Sequence, residues 1–203
     1  MYPNAAPHEI LAGPLKLWLG PVGTAFPVAD DDPGAGWTLV AASGPRNFTE
    51  DGVSVQHPQS FEEFRAAGST GPLKAFRTEE GLMIGVTIAD LTLEAYKLAL
   101  NGNAITADAA GVGTPGTKTI GLSRGASVTE YALLARGASP YGDAMQMQYE
   151  VPRVYQSGEP EPQFEKGTPA GLALQFSALE DPDASSEDER FGRLVAMTDL
   201  AET

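Results

Sequence analysis

The sequence predicts a mainly β protein, an antiparallel β-sandwich or barrel with one packed α-helix and a long hairpin loop. Apolar and polar residues alternate with a period of two in several segments, as is typical of strands with one buried face. The 23 glycines and 16 prolines interrupt these segments and indicate turns between short strands. One segment has helical spacing instead, and we find no internal repeat.

The predicted strands begin with LKLWL, in which Leu15, Leu17 and Leu19 share one face. The following VGTAFPVADDDPGAG is predicted to be a loop and TLVAAS the next strand. In MQMQYEV, Tyr149 and Val151 are expected to point inward and the glutamines outward. The remaining strands are predicted at residues 53–56, 82–89, 127–136, 144–155, 170–179 and 191–198.

Residues 90–101, DLTLEAYKLALN, are predicted to form the helix. Asp90, Glu94, Lys97 and Asn101 form one narrow polar stripe, and nearly every other position is apolar. Asp90 is suited to cap the N-terminus, and Asn101 with the glycine after it is suited to a left-handed end. We expect a short helix with so much apolar surface to pack on the sheet.

Composition limits the classes of function. A length of 203 residues fits an N-terminal arm (1–13), one domain (14–179), and an acidic loop with a C-terminal strand or arm (180–203). The chain has no cysteine, which excludes disulfides and thiolate metal sites. The sequence shows no signal peptide and no apolar run long enough to span a bilayer. The net charge of −14 argues against binding to a phosphate backbone.

Candidate catalytic and metal motifs are weak. The GVGTPG segment at residues 111–116 matches GxGxxG but lacks the strand and helix of a dinucleotide site. Residues 180–189 resemble a calcium loop without its glycine, so we expect a solvated acidic loop. His8 and His57 are the only histidines, and no GxSxG motif occurs. We therefore expect no enzyme activity, no metal and no cofactor.

Residues 57–81 form an unusually long connection between two predicted strands, since neighbouring strands are commonly joined by about two to five residues. The segment interleaves aromatic and charged side chains, whereas disordered segments are poor in aromatics. It folds back over its own sheet or becomes ordered against another subunit. The residues concerned are Phe61, Glu62, Glu63, Phe64, Arg65, Leu73, Lys74, Phe76 and Arg77.

The order of motifs in residues 15–101 resembles the major tail tube protein of long-tailed bacteriophages. VGTAFPVADDDPGAGW follows the first strand, and TEDGVSVQ precedes the long connection. TEEGLMIGVTIADLTLEAYKLALN then completes the set. In that family a strand after EDGV enters a long loop of mixed charge, returns as a strand and leads into a TLE helix. The second half of the chain matches only in being rich in predicted strands.

The resemblance implies a structural virion protein. Its β-sandwich protomers would form hexameric rings, stacked into a tube around the tape measure protein, with tail terminator and distal tail proteins at the ends. DNA would pass through only in transit, and no membrane insertion is expected. The protein would assemble in the host cytoplasm and reside in the virion tail. The nine loop residues named above would contact neighbouring subunits and the adjacent ring.

The polar faces of the predicted strands fit the wall of a DNA conduit. They carry no lysine or arginine, and basic groups there would hold phosphates. An ordinary solvated face is the alternative interpretation, although such faces commonly include lysines. The predicted lumen residues are Ser54, Gln56, Thr87, Gln146, Gln148, Glu150, Gln175 and Ser177.

Two other functions remain open at this point. One is a related single-ring tail component, such as a terminator or a tube-initiating protein. The other is a monomeric β-sandwich binding or decoration protein. Self-assembly distinguishes them, because only a tube protein polymerises into repeating rings.

Overall fold

Eight strands form one sheet in the computed structural model, which describes residues 9–199. Of the described residues 41% are strand and 8% helix, all strand pairs among them are antiparallel, and the predicted mainly β fold class is confirmed. The elements are β1 Lys16–Gly20, β2 Thr38–Leu39, β3 Phe48–Gln56, β4 Gln59–Phe64, β5 Lys74–Glu80, β6 Met83–Ile88, α1 Leu93–Ala99, β7 Ile105–Asp108, β8 Thr117–Ile120, β9 Glu130–Ala138, β10 Gln146–Gln156, β11 Leu172–Ala178 and β12 Arg193–Ala196.

One short segment links the two edge strands of the large sheet. Its strand order is β2-β1-β9-β10-β11-β6-β3, and β12 pairs with the first half of β10. Residues 40–47 connect the edge strands β2 and β3. At one end of this segment the Val40 N–H donates to the Leu17 carbonyl (2.8 Å), and at the other the Ala89 N–H donates to the Asn47 carbonyl (2.6 Å).

One face of the sheet forms the core. In β6 the buried positions alternate strictly with half-buried ones, as the sequence pattern predicts. Val151 and Val154 both lie in the core because the pairing of β9 with β10 shifts register between them. The principal core side chains are Leu17, Leu19, Ile84, Val86, Ile88, Leu133, Val151, Leu172, Leu174 and Phe176.

The helix begins later than the sequence suggests. Thr92 is the N-cap, and its side chain accepts a hydrogen bond from the Ala95 N–H (3.2 Å). The prediction of Asp90 as the cap is wrong, because its Oδ2 accepts from the Ala42 N–H (3.3 Å) across the connection to β3. The carboxylate thus fixes the 40–47 segment instead of the helix.

The end of the helix and its burial agree with expectation. Asn101 and Gly102 both adopt left-handed backbone conformations (φ 61° and 76°). Ala95, Ala99 and Leu100 are buried. α1 contacts β11 of the large sheet and also β7 and β8.

Strands β7 and β8 form a small hairpin that the sequence did not reveal. The glycine-rich segment at residues 111–116 lies in the connection between these strands, as the loop interpretation expects. The hairpin is tied to the helix by an ion pair between Lys118 Nζ and Glu94 Oε1 (2.6 Å). This hydrogen bond lowers the pKa of Glu94.

The predicted terminal segments are only partly described. Residues 1–8 of the expected N-terminal arm, including His8, and residues 200–203 lie outside the described range. From residue 180 onward the chain forms an acidic loop and then β12, which belongs to the large sheet. No helix within residues 9–199 has the length and apolar character to cross a membrane. In that same range no cluster of three or more His, Asp or Glu side chains could hold a metal ion.

Candidate assembly surfaces

Residues 57–81 form a projecting β-hairpin instead of an irregular loop. Strands β4 and β5 pair along their length, with a register shift after Ser60. At the base the Gly81 N–H donates to the Pro58 carbonyl (3.0 Å). At the tip the Leu73 N–H donates to the Phe64 carbonyl (2.9 Å). Every residue of both strands is exposed, so the hairpin is not folded over its own sheet.

The hairpin leaves large apolar side chains in water. Phe61, Phe64, Leu73 and Phe76 have exposed fractions of 52%, 57%, 62% and 49%. Lys74 Nζ lies 4.9 Å from the centre of the Phe76 ring, and the Arg77 guanidinium 5.7 Å from that of Phe61. These cations shield the rings only in part, so the hairpin is an apolar surface without a cover in a single copy.

Aromatic residues occur on both faces of the hairpin. Phe61 lies opposite Arg77 in the ladder, and Phe64 lies opposite Lys74. Successive side chains of a strand point to opposite faces, so Phe61 lies on one face while Phe64 and Phe76 share the other. The hairpin can therefore contact two different partners at the same time.

Ion pairs hold the base of the hairpin. Glu80 pairs with Arg77 of the same strand (3.1 Å) and with Arg190 of the C-terminal segment. Arg190 also pairs with Glu180 (3.2 Å). Among the other charged residues predicted for this loop, Glu63 pairs with Arg65 (2.6 Å) near the tip. Arg190 thus links the projecting hairpin to the body of the protomer.

Five of the eight predicted lumen residues lie together on the face of β3, β6 and β11 that is opposite the core. Ser54 and Gln56 are exposed, whereas Thr87, Gln175 and Ser177 are half-buried. Lysine and arginine are absent from the rows that cross these three strands. The rows, read from the pairing register, are Ser54–Gly85–Gln175, Gln56–Met83–Ser177 and Thr87–Ala173.

The lumen prediction is wrong for Gln148 and Glu150, which are only 1% and 4% exposed. They lie on the same face of the sheet, but residues 21–37 cover this half of it. Gln148 Nε2 donates to the Pro27 carbonyl (2.7 Å). Gln146, one pair further along β10, is half-buried at the margin of this cover.

Arg136 connects the covered polar side chains to the loop that lies over them. Its Nε and one terminal nitrogen donate to Gln148 Oε1 (2.9 and 2.7 Å), and the other terminal nitrogen donates to the Asp31 carbonyl. Burial lowers the pKa of Arg136, and the nearby carboxylates of residues 30–32 and Glu150 oppose that shift.

A second arginine completes the buried polar group. Arg193 of β12 donates from Nε to Glu150 Oε2 (2.7 Å), and this hydrogen bond raises the pKa of Arg193. Sequence reasoning missed Arg136, although an arginine within the apolar EYALLARGA run needs polar partners. That requirement was the available signal for a covered polar network on this face.

Comparison with known protein families and with curated proteins finds no match to this chain.

Proposed function

We propose that this chain is a structural virion protein that forms stacked hexameric rings of a bacteriophage tail tube, a conduit for genome delivery. The observation that carries the proposal is the projecting hairpin, with exposed aromatics on both faces and no cover in one copy. The ordered motifs of residues 15–101 support the same assignment. As a tube, the protein acts in the virion tail after assembly in the host cytoplasm.

Two features of the hairpin favour contacts with other copies. Burying a Phe side chain contributes roughly 1.5–3 kcal/mol, so the three exposed rings offer a substantial gain on association. Their distribution over both faces suits a segment held between a neighbour in the ring and a protomer of the adjacent ring.

The polar face of β3, β6 and β11 is suited to a lumen. It presents hydroxyl, amide and small side chains without a cation, so DNA would meet few groups that hold phosphates. Strand β3 is an edge of the large sheet and would pair with a neighbouring protomer, which removes an exposed edge. The tape measure protein would occupy the lumen before DNA, and the terminator and distal tail proteins would bind the two ends.

The test is to replace Phe61, Phe64 and Phe76 together by serine. We expect a soluble protomer that no longer forms hexameric rings or tubes. The protomer should stay folded, because the three phenyl side chains are exposed in the single copy and contribute little to its core. Light scattering after size-exclusion chromatography and electron microscopy measure assembly, and thermal unfolding measures the fold. Phe164→Ser is the matched control, since Phe164 is 81% exposed outside the hairpin and its loss should leave assembly intact.

Other outcomes would select a different function. A wild-type chain that remains monomeric at high concentration would indicate a binding or decoration protein. Closed single rings that never stack would indicate a terminator or tube-initiating component. Unfolding of the triple serine variant would show that the hairpin packs on its own domain, against the proposal.

A further inference from the structure

The acidic segment of residues 180–192 interrupts a strand that could otherwise run straight on. Strands β11 and β12 pair one after the other with the same edge of β10. The chain leaves this edge where the Leu179 N–H donates to the Arg153 carbonyl (2.9 Å), and it returns where Arg193 pairs opposite Glu150. These positions on β10 are about 10 Å apart, at about 3.3 Å per residue. The sheet therefore does not require a segment of this length.

One ion pair joins the hairpin strands β4 and β5 to the body of the protomer. The strands leave the large sheet through residues 57–58 and return to it through residues 81–82, and all of their residues are exposed. A cleft of about 630 Å³ lies between the base of the hairpin and the end of the acidic segment, so the hairpin has room to move. In the part of the chain that the structure describes, only the contact between Glu80 and Arg190 crosses from these strands to the body as an ion pair or hydrogen bond.

The backbone of Arg190 is anchored to the body. Its carbonyl accepts from the Asp181 N–H (2.8 Å), which closes the base of the acidic segment. The next residue, Phe191, packs partly buried against the core. Gly192 has a φ of 108°, and a Cβ there would overlap the Glu150 carbonyl oxygen, so this tight turn requires glycine. The segment thus returns to the sheet with Arg190 held at a fixed place beside the hairpin.

The guanidinium of Arg190 spans the joint between hairpin and body. One terminal nitrogen donates to Glu80 of the hairpin, and the other donates to Glu180 of the body (3.2 Å). Glu80 also pairs with Arg77 (3.1 Å), whose guanidinium lies 5.7 Å from the centre of the Phe61 ring. The contact is therefore continuous with an aromatic side chain that the proposed function places in an interface. We propose that Arg190 is a positioning residue, which holds the hairpin at the angle that assembly requires.

This inference rests on the proposed self-assembly and assigns a role to the acidic segment. A hairpin that samples many angles must lose that freedom when it is buried between subunits, and the loss weakens association. A contact that fixes the angle beforehand removes part of this cost. Because exposed ion pairs contribute little, breaking this one should change an association equilibrium by at most about fivefold.

The angle can be measured directly, because a chain without cysteine can be labelled at chosen positions. Ala67→Cys at the tip of the hairpin and Ala173→Cys in β11 are exposed positions for nitroxide labels. We expect electron paramagnetic resonance to give a narrow distribution of distances between the labels in the unassembled protomer. Arg190→Gln should broaden this distribution. In unlabelled chains the same substitution should raise the critical concentration for polymer about two- to fivefold and leave the thermal unfolding midpoint nearly unchanged.

Two further variants separate positioning from a merely structural role. Arg190→Lys keeps a cation that can reach Glu80, so it should restore most of the narrow distribution and of the wild-type critical concentration. Glu80→Gln removes the same contact from the hairpin side and should reproduce both effects of Arg190→Gln with the acidic segment unaltered. Lys118→Gln is the matched control, since it breaks an exposed ion pair with Glu94 (2.6 Å) outside the hairpin, and it should change neither measurement.

Distances that stay narrow in both Arg190→Gln and Glu80→Gln overturn the inference, because the hairpin would then be fixed without Arg190. A broadened distribution with an unchanged or lower critical concentration also overturns it, since the fixed angle would not promote assembly. If Arg190→Gln unfolds, the Glu80→Gln variant decides between these outcomes. A wild-type chain that remains monomeric overturns this inference together with the proposed function, whereas the other outcomes leave that function standing.

Discussion

Gln148 uses both ends of its side-chain amide in the covered network. Its carbonyl oxygen accepts from Arg136, and its nitrogen donates to the Pro27 carbonyl and to Glu150. A residue with both a donor and an acceptor is therefore required between a cation, a carboxylate and a backbone carbonyl. Among neutral side chains only the amides carry two N–H donors beside a carbonyl oxygen.

We expect Gln148→Lys to destabilise the protomer by at least about 2 kcal/mol, since it places a second cation against Arg136 and leaves the guanidinium without its acceptor. Gln56→Lys is the control on the exposed part of the same sheet face and should change stability by less than about 0.5 kcal/mol. Chemical denaturation of both variants measures the difference. A wild-type unfolding midpoint for Gln148→Lys would mean that residues 21–37 do not cover the side chain.

At the residue scale the sequence predicted which face of a strand each side chain occupies, but not which loop covers that face. The alternation in MQMQYEV correctly places Tyr149 and Val151 toward the core and Gln148 on the opposite face. It could not show that a loop more than a hundred residues earlier lies over Gln148. The same limit applies to Asp90, whose partner Ala42 is distant in sequence, so local capping rules chose the wrong residue.

Helix α1 is held between the large sheet and the β7–β8 hairpin. Ala95 and Ala99 are its buried residues in the core, and Leu98 packs half-buried against that core. Glu94 lies on the exposed stripe and reaches only Lys118. The helix is thus a structural element with one apolar face and one solvated face.

Leu98→Ala should destabilise the protomer by about 2 kcal/mol, at the low end of the range for a Leu-to-Ala change because the side chain is only half-buried. Glu94→Gln should change little, since exposed ion pairs contribute little. Thermal unfolding of both variants provides the comparison. Loss of tube formation by a fully stable Glu94→Gln protein would instead place a functional contact on this helix.

At the element scale the long periodic strands were predictable and the short ones were not. β6 and β11 have one continuous buried face, which alternation reveals. β7 and β8 are four residues each and mostly exposed, so burial leaves no pattern in their sequence. β4 and β5 are exposed on both faces, and the sequence predicted a long hairpin loop there without showing that the loop itself is a pair of strands.

The whole molecule presents one uncovered polar face, on β3, β6 and β11, and one covered by residues 21–37. Only the uncovered part is available to line a conduit. The candidate lumen is thereby reduced to Ser54, Gln56, Thr87, Gln175 and Ser177, with Gln146 half-buried at the margin of the cover. The rim of this patch also carries Asp51 and Glu159.

If the chain forms the proposed tube, Ser54→Lys with Gln56→Lys should slow DNA delivery through assembled tails, because both side chains are exposed and each new cation would attract phosphates by releasing counterions. Tails should look normal in micrographs, and added salt should relieve the delay by screening the attraction. Thr117→Lys with Thr119→Lys is the charge-matched control on the exposed β8 strand and should leave ejection unchanged. The measurement is a DNA-ejection assay on mutant virions. Intact tails with wild-type ejection would mean that this face points away from DNA.

The pairing of β1 with β9 also determines when the protomer can fold. Leu17 pairs opposite Ala135, so β1 cannot complete its pairing during synthesis until β9 has been made. Until then β1 can pair only with the two-residue strand β2, and long-range pairings such as β1 with β9 make folding slow. Nascent chains would meanwhile expose unpaired apolar strands that can aggregate with one another. The net charge of −14 would then help to keep unfinished copies of the chain apart by mutual repulsion.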